Sequence, residues 1–309
     1  MKKSRILITG ASGFIGRNLT EHLSAKGQQV FQADLPGLDL ADEAAVKAAF
    51  DEFSPEVVIN CANVGGTRAS ESDVAAANKA FALNLRIFFN LARSLKPGMR
   101  MIAMGSGAEY DKRRQLRKVP ENSFDAFVPA DDYGYAKYLI SKYAEKADNI
   151  TCLRIFGLYG KYEDYTFKFI SNAIVKNLLG LPIVINQNVV FDFLWIEDFC
   201  RLVEKFTGIK PGYTHYNVTP VSSIDLVSIA EKINNVAARK SEIRIINPGQ
   251  NLEYSGDNSR LTGEFGGFQF TSYDEGIKRL YDYYSAHLKE LDLETIKDDP
   301  FIKACKTLK

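Results

Sequence analysis

Through the first half of the chain, short apolar β-branched runs alternate with longer stretches whose apolar residues recur at helical spacing. The pattern predicts strands at Arg5–Thr9, Gln29–Ala33, Glu56–Cys61, Met99–Met104 and Ile150–Ile155. Between them it predicts helices at Phe14–Lys26, Glu43–Phe53, Ser72–Leu95 and Tyr133–Ala147, the first carrying Phe14, Ile15, Leu19 and Leu23 on one side. Runs such as Ile6-Leu7-Ile8 are apolar at every position, as expected of strands covered on both faces. Strand–helix alternation of this length implies right-handed crossovers and a doubly wound α/β fold with a parallel sheet.

Beyond Gly160 the rhythm loosens. Phe167–Leu179, Ser223–Asn234 and Ser272–Leu288 read as helices, and Val189–Leu194 as a short apolar and aromatic run, with turns near Pro211-Gly212 and Pro248-Gly249. The expected division is a nucleotide-binding domain over 1–162, with a return segment near 190–215, and a smaller α/β substrate-binding domain over 163–309.

Composition narrows the classes. The 309 residues carry 39 Lys+Arg and 38 Asp+Glu, a net charge of +1, without the basic excess of a nucleic-acid binder. Cys61, Cys152, Cys200 and Cys305 show no C-x-x-C spacing, which argues against a metal site or disulfide framework and suits a reducing, cytoplasmic setting. The three-residue run Ile6-Leu7-Ile8 is too short for a secretion signal, and no stretch approaches the ~20 apolar residues of a membrane span. The most biased segment, 112–118, has five basic residues in seven and reads as a solvated loop.

Candidate chemistry starts at Gly10-Ala11-Ser12-Gly13-Phe14-Ile15-Gly16, between the first strand and the first helix. Glycine lets the backbone turn tightly and approach a pyrophosphate, and a helix N-terminus offers unpaired N–H groups. Asp34 closes the second strand, where a carboxylate accepts bonds from both adenosine ribose hydroxyls and repels a 2′-phosphate, favouring NAD over NADP. The competing reading makes Asp34 the start of a turn before Pro36-Gly37. Tyr133 and Lys137 stand at i and i+4, on one helix face, where an ammonium lowers the pKa of a neighbouring phenol into working range. Ser106, after the strand Met99–Met104, is placed to hydrogen-bond a reacting oxygen beside Tyr133.

Together these residues resemble the extended short-chain dehydrogenase/reductases, in particular the nucleotide-sugar epimerase/dehydratase group with its Rossmann-type sheet. The resemblance continues through Asp39-Leu40, Ser106 four residues before Tyr110, Arg154-Ile155-Phe156-Gly157-Leu158-Tyr159-Gly160, the Phe193–Asp198 stretch and Ser255-Gly256-Asp257-Asn258-Ser259-Arg260. It implies that Tyr133 exchanges a proton with a sugar hydroxyl while hydride passes to or from NAD. Lys137 would bind the nicotinamide ribose and Ser106 would orient the substrate oxygen. It further implies that Asp39 and Leu40 contact adenine, that Asn84 stands behind the cofactor, and that the backbone of Cys61, Ala62 and Asn63 passes along it. Phe156 and Gly157 would line the nicotinamide pocket.

Departures from the family pattern narrow the reaction. Dehydratases of the family carry an Asp-Glu pair just after the serine, where this chain has Gly107-Ala108, so dehydration is disfavoured. The histidines His22, His215 and His287 do not fall where a 3,5-epimerase needs one. What remains is 4-epimerisation or reduction of a 4-keto sugar. The two arginines that commonly hold the substrate diphosphate would fall at Phe191 and near Asn247, and neither is basic. Lys168, Arg260 or the 112–118 segment would substitute, with Ser106, Gly107 and Phe191 completing the substrate site. Otherwise the substrate is a non-sugar carbonyl compound. A catalytically silent regulatory member is a third reading, against which the retained serine, tyrosine and lysine argue. The family commonly dimerises through the two helices that here are Ser72–Leu95 and Tyr133–Ala147, so a homodimer is expected.

Overall fold

The computed structural model describes residues 3–65 and 74–305. Five strands in the first half, β1 (Arg5–Thr9), β2 (Gln29–Ala33), β3 (Val57–Asn60), β4 (Arg100–Ser106) and β6 (Ile150–Ile155), join β11 (His215–Val218) in one sheet of order β11-β6-β4-β3-β1-β2. Every pairing in it is parallel. The helices α1 (Phe14–Ala25) and α6 (Ile196–Thr207) cover one face, where Ile6, Ile8, Leu19, Leu23 and Phe199 are wholly buried. On the other face lie α2 (Glu43–Phe53), α3 (Val74–Ser94) and α4 (Asp132–Ala144), packed on Leu7, Val58, Phe50, Phe88 and Ile140. Alternate strand residues thus feed opposite cores, which is why the strand sequences are apolar throughout. Each such buried side chain contributes about 1.5–3 kcal/mol.

Helix ends are set by local chemistry. The Asp42 carboxylate accepts from the Ala44 and Ala45 N–H groups to start α2, and Asp131 accepts from Gly134 N–H to start α4. The chain leaves α1 through Gly27, whose φ of 76° suits a residue without Cβ.

Winding reverses between β1 and β3: β2 pairs on one side of β1 and β3 on the other. A crevice therefore opens at the carboxyl ends of β1 and β3, the place where open α/β sheets take ligands.

The second half contributes a separate core of α5 (Phe169–Leu178), α7 (Leu226–Val236) and α9 (Tyr273–His287), around Ile174, Ile229, Ile233 and Ile277. Two small sheets frame it. One pairs β8 (Ile183–Asn188) with β13 (Ile243–Gln250), and the other runs β12-β9-β14-β5, made of Ile224–Asp225, Val190–Phe191, Tyr254–Gly256 and Leu116–Val119.

That last strand corrects part of the reading of 112–118: residues 112–115 form the expected exposed turn, while 116–118 belong to β5. The charges of the segment are paired: Lys112 with Asp131, Arg113 and Arg114 with Asp111, Arg117 with Glu253, and Lys118 with the buried Asp192. The apolar and aromatic run Val189–Leu194 holds β9 and the start of β10 (Leu194–Trp195), which pairs with β7 (Leu158–Tyr159). The first two residues of the expected helix Ser72–Leu95 lie outside the described residues. Among the described residues no helix is long and apolar enough to cross a membrane.

Candidate active site

At the carboxyl end of β1 the backbone is packed too closely for side chains. Gly10 has φ of 62°, and a Cβ there would lie 2.8 Å from Ala62 N; a Cβ on Gly16 would lie 2.1 Å from the Gly10 carbonyl oxygen. Gly13 differs: its φ is −74°, and a Cβ would meet only the Gly10 carbonyl, at 3.3 Å. Protein packing alone does not demand glycine there. Helix α1 opens at Gly13 with neither a side-chain cap nor an acidic residue in its first turn. Its N-terminus thus presents bare N–H groups and the positive end of the helix dipole, a donor set matched to a pyrophosphate. Ser12 N–H donates to Asp34 Oδ2 at 2.6 Å, tying the carboxylate at the end of β2 to this loop. These residues fit a dinucleotide.

The remaining cofactor candidates divide. Phe14, Ile15, Cys61, Asn63 and Phe156 line the cleft above the loop. The Cys61 thiol is pushed up to about 12 by burial, so it is inert as a nucleophile. Ala62 N–H donates to Thr9 Oγ1. Asn84 clamps the adjacent backbone, accepting from Val64 N–H at 2.8 Å and donating to Val64 O at 2.9 Å. Asp39 accepts from Ala41 N–H. The Leu40 side chain is buried in the cluster that holds Val46 and Phe50.

Ser106 at the end of β4, and Tyr133 and Lys137 on α4, come together in the cleft. The Ser106 hydroxyl stands against both Tyr133 and Tyr254, opposing the rise that burial causes in each phenol, and it accepts from Ala108 N–H at 3.2 Å. Lys137 is 8% exposed, and its ammonium donates to Met104 O at 2.8 Å. The pKa relationship differs from the expected one. Burial pushes the Tyr133 phenol above its ordinary value, opposed by the Ser106 contact. The Lys137 ammonium, bonded to the main chain, stands 5.9 Å from the Tyr133 ring centre. Burial lowers Lys137 in turn, opposed by the charge of Glu109.

Beyond the triad the cleft continues into an inner chamber. Lys168, which precedes α5, and Phe191 line both spaces, as do Glu163, Asn251 and Leu252. Two candidates are corrected. Gly107 does not line the cleft: it is packed beneath Phe156 and the Tyr254 hydroxyl, each 2.7 Å from where its Cβ would stand. Arg260 is turned away, its guanidinium 3.7 Å from Glu121 and stacked on the Tyr213 ring. From the basic segment only Lys112 reaches the cleft.

Three residues were not singled out from the sequence. Tyr254, from β14, stands against Ser106 and tilts against Phe156, with ring centres 5.0 Å apart. Glu163 is 6% exposed, and burial pushes its carboxyl up to about 8. Glu109 is wholly buried beneath Ser106. It completes a Ser-x-x-Glu capping box, the one signal of the three that is legible in the sequence.

The chain is similar over about nine-tenths of its length to the following proteins. A probable dTDP-glucose 4,6-dehydratase of Sinorhizobium fredii is 23% identical, over 91% of this chain and 92% of its own. The UDP-glucose 4-epimerase of Thermus thermophilus, solved in complex with NAD, is 22% identical and superposes with a TM-score of 0.76 over 91% of this chain and 99% of its own. The dTDP-4-dehydrorhamnose reductase of Bacillus anthracis, solved with NADP, is 21% identical, with a TM-score of 0.76 over 92% and 99%. The two solved structures share the fold of this chain. Residues 6–219, which hold the glycine loop, Ser106, Tyr133 and Lys137, match the family profile, and the chain therefore belongs to the NAD dependent epimerase/dehydratase family, as a nicotinamide-dependent enzyme of the extended short-chain dehydrogenase/reductase type.

Proposed function

We propose that this enzyme moves a hydride at C4 of a nucleotide-activated sugar, using NAD, and that its reaction is 4-epimerisation, with 4-keto-sugar reduction as the half-reaction it shares with reductases. The observation that carries this reading is the convergence of Ser106, Tyr133 and Lys137 in one cleft with no acid pair behind the serine, where Gly107 and Ala108 stand. Dehydration needs a further group to protonate a departing hydroxyl.

Bound NAD supplies the hydride acceptor and donor. Ser106 holds the C4 oxygen, and Tyr133 takes its proton as the hydride leaves. After the 4-keto sugar turns over in the cleft, hydride would return to the opposite face of C4 while Tyr133 gives the proton back to the C4 oxygen. A phenol raised by burial is protonated at neutral pH and suits the proton-giving half. Taking the proton requires positive charge, which Lys137 holds one helical turn away. Asp34, with Oδ2 on Ser12 and no partner for Oδ1 among the described residues, supports ribose binding and NAD over NADP. Lys168 is the cation that faces both chambers and takes the place of the missing arginines. Pairing of two copies through α3 and α4 is supported by the stacked Phe81 and Tyr135 at the surface, whereas Phe88 is buried within the protomer.

A second reading, reduction of a non-sugar carbonyl compound, is favoured by one observation: Phe191, where a phosphate-binding arginine is expected, is packed between Phe193 and Tyr254. One experiment separates the two. The purified protein is denatured, its released nucleotide is identified, and the intact protein is incubated with UDP-glucose and with dTDP-glucose under NMR observation. Near-stoichiometric NAD and conversion of a sugar at C4 are expected. An empty site, together with NADPH-dependent reduction of simple carbonyls and no change in either sugar, would overturn the epimerase.

A further inference from the structure

We propose that Glu109 is a positioning residue of this site: a single buried carboxylate that holds Ser106, the helix carrying Tyr133 and Lys137, and strand β6 in register. The inference rests on Ser106, Tyr133 and Lys137 being the acting groups.

Glu109 is 0% exposed and accepts from three elements at once. Ser106 N–H, at the end of β4, donates to Oε1 at 2.8 Å. Ser141 Oγ on α4 and Arg154 Nε on β6 each donate to Oε2 at 2.6 Å. Ser141 lies four residues beyond Lys137, on the same face of α4. The backbone is shaped to admit the carboxylate, since a Cβ on Gly105 would stand 2.7 Å from Oε1.

Stability alone does not account for this arrangement. A buried ion pair is commonly matched or bettered by apolar residues of similar volume. This one carries a further cost: Arg154, stacked 4.1 Å over Phe124 with Nη1 donating to Tyr110, leaves Nη2 without a partner among the described residues. What the pair supplies is fixed geometry at Ser106 and a fixed negative charge below the triad. The groups facing that charge are Tyr133 and Lys137 from α4, Arg154 and Cys152 from β6, Tyr254 from β14 and Tyr110 from its own turn. Asp131 also acts on Tyr133, and Glu121 on Tyr110. Glu109 raises the proton affinity of Tyr133 and opposes the lowering of Lys137 by burial.

The test uses the full chain with NAD added and three variants. Glu109→Gln removes the charge. The double variant Glu109→Leu/Arg154→Met removes the pair without stranding a guanidinium. Ser141→Ala removes one donor and leaves both charges, so the comparison stands in a chain that folds even where the others do not. The first readout is the Tyr133 phenol titration in 13Cζ-tyrosine-labelled protein, assigned by its loss in Tyr133→Phe. It needs no substrate and so decides the inference even if the sugar reaction is wrong. In Glu109→Gln and the double variant the Tyr133 midpoint is expected to fall by about one pH unit. The second readout is kcat on the sugar converted by the wild type, expected to fall on the order of tenfold to a hundredfold while KM moves little. Ser141→Ala is expected to lower kcat severalfold with the Tyr133 midpoint held. A double variant that regains wild-type thermal stability, Tyr133 midpoint and kcat together would overturn the proposal, as would a Ser141→Ala protein indistinguishable from wild type in kcat.

Discussion

The Asp34 carboxylate is bound to the glycine loop it serves: Ser12 N–H donates to Oδ2 at 2.6 Å, across the ends of β1 and β2. One oxygen meets the loop, and in the proposed function the other takes a ribose hydroxyl, which would couple loop shape to cofactor choice. Asp34→Ala is therefore expected to weaken NAD binding about tenfold and to bring the NADP affinity up to or above that of NAD, since the repulsion of a 2′-phosphate disappears. Titration of both dinucleotides by calorimetry checks this. Unchanged preference for NAD would mean that Asp34 only starts a turn.

Glycines of the same loop should respond differently. Gly16→Ala drives a methyl to within 2.1 Å of the Gly10 carbonyl, and overpacking of that kind costs about 1–3 kcal/mol or more. Gly13→Ala has φ of −74° and its nearest obstacle at 3.3 Å. It should leave thermal stability within about 0.5 kcal/mol while weakening NAD at least tenfold, because the methyl occupies the approach of the pyrophosphate. Melting curves with and without NAD distinguish the two. A Gly13→Ala protein that binds NAD normally would remove the phosphate role from this helix.

Tyr133→Phe deletes the one hydroxyl assigned to proton transfer. Turnover is expected to fall on the order of 10²–10⁴-fold, with NAD affinity unchanged. The folded protein already holds this phenol desolvated, so stability should change by less than about 1 kcal/mol. Retained turnover would transfer the proton to Tyr254, the other phenol against Ser106.

The parts of this structure that were legible in the sequence are those made by local pattern. The strands Arg5–Thr9, Gln29–Ala33 and Ile150–Ile155 and the helix Glu43–Phe53 fall on their expected residues. A strand buried on both faces is apolar throughout, and a helix over it is apolar at every third or fourth position. The strand Leu116–Val119 was hidden because Arg117 and Lys118 sit in it, held by partners more than 70 residues away, Glu253 and Asp192. Tyr254 and Glu163 join the site only through the tertiary fold and carry no local mark. Arg260 shows the converse: a basic residue near a family motif, turned by helix α8 (Ser259–Glu264) towards Glu121 instead of the cleft. Glu109 was readable as a capping box, but that spacing reveals only its bond to Ser106 and not the arginine behind it.

Glu163 yields the last prediction, in which the sign of the pH dependence is the discriminating feature. Burial pushes its carboxyl up to about 8, while Ser171, donating to Oε2 at 2.5 Å, and the charge of Lys168 pull down and Asp164 pushes up. The folded chain therefore holds a proton there that the unfolded chain releases near pH 4.5. Between those values the native state binds more protons, so this group's contribution to stability is full below pH 4.5 and is lost as pH rises through about 8. The slope reaches about 1.4 kcal/mol per pH unit. Glu163→Gln keeps an acceptor for Ser171 and cannot ionise. It should match the wild type at pH 5 and exceed it in thermal stability at pH 9, on the order of a few kcal/mol. Denaturant melts of both proteins at the two pH values measure the difference. An equal gap at both would mean that Glu163 is ionised in the fold, with its charge met inside the chamber by Lys168.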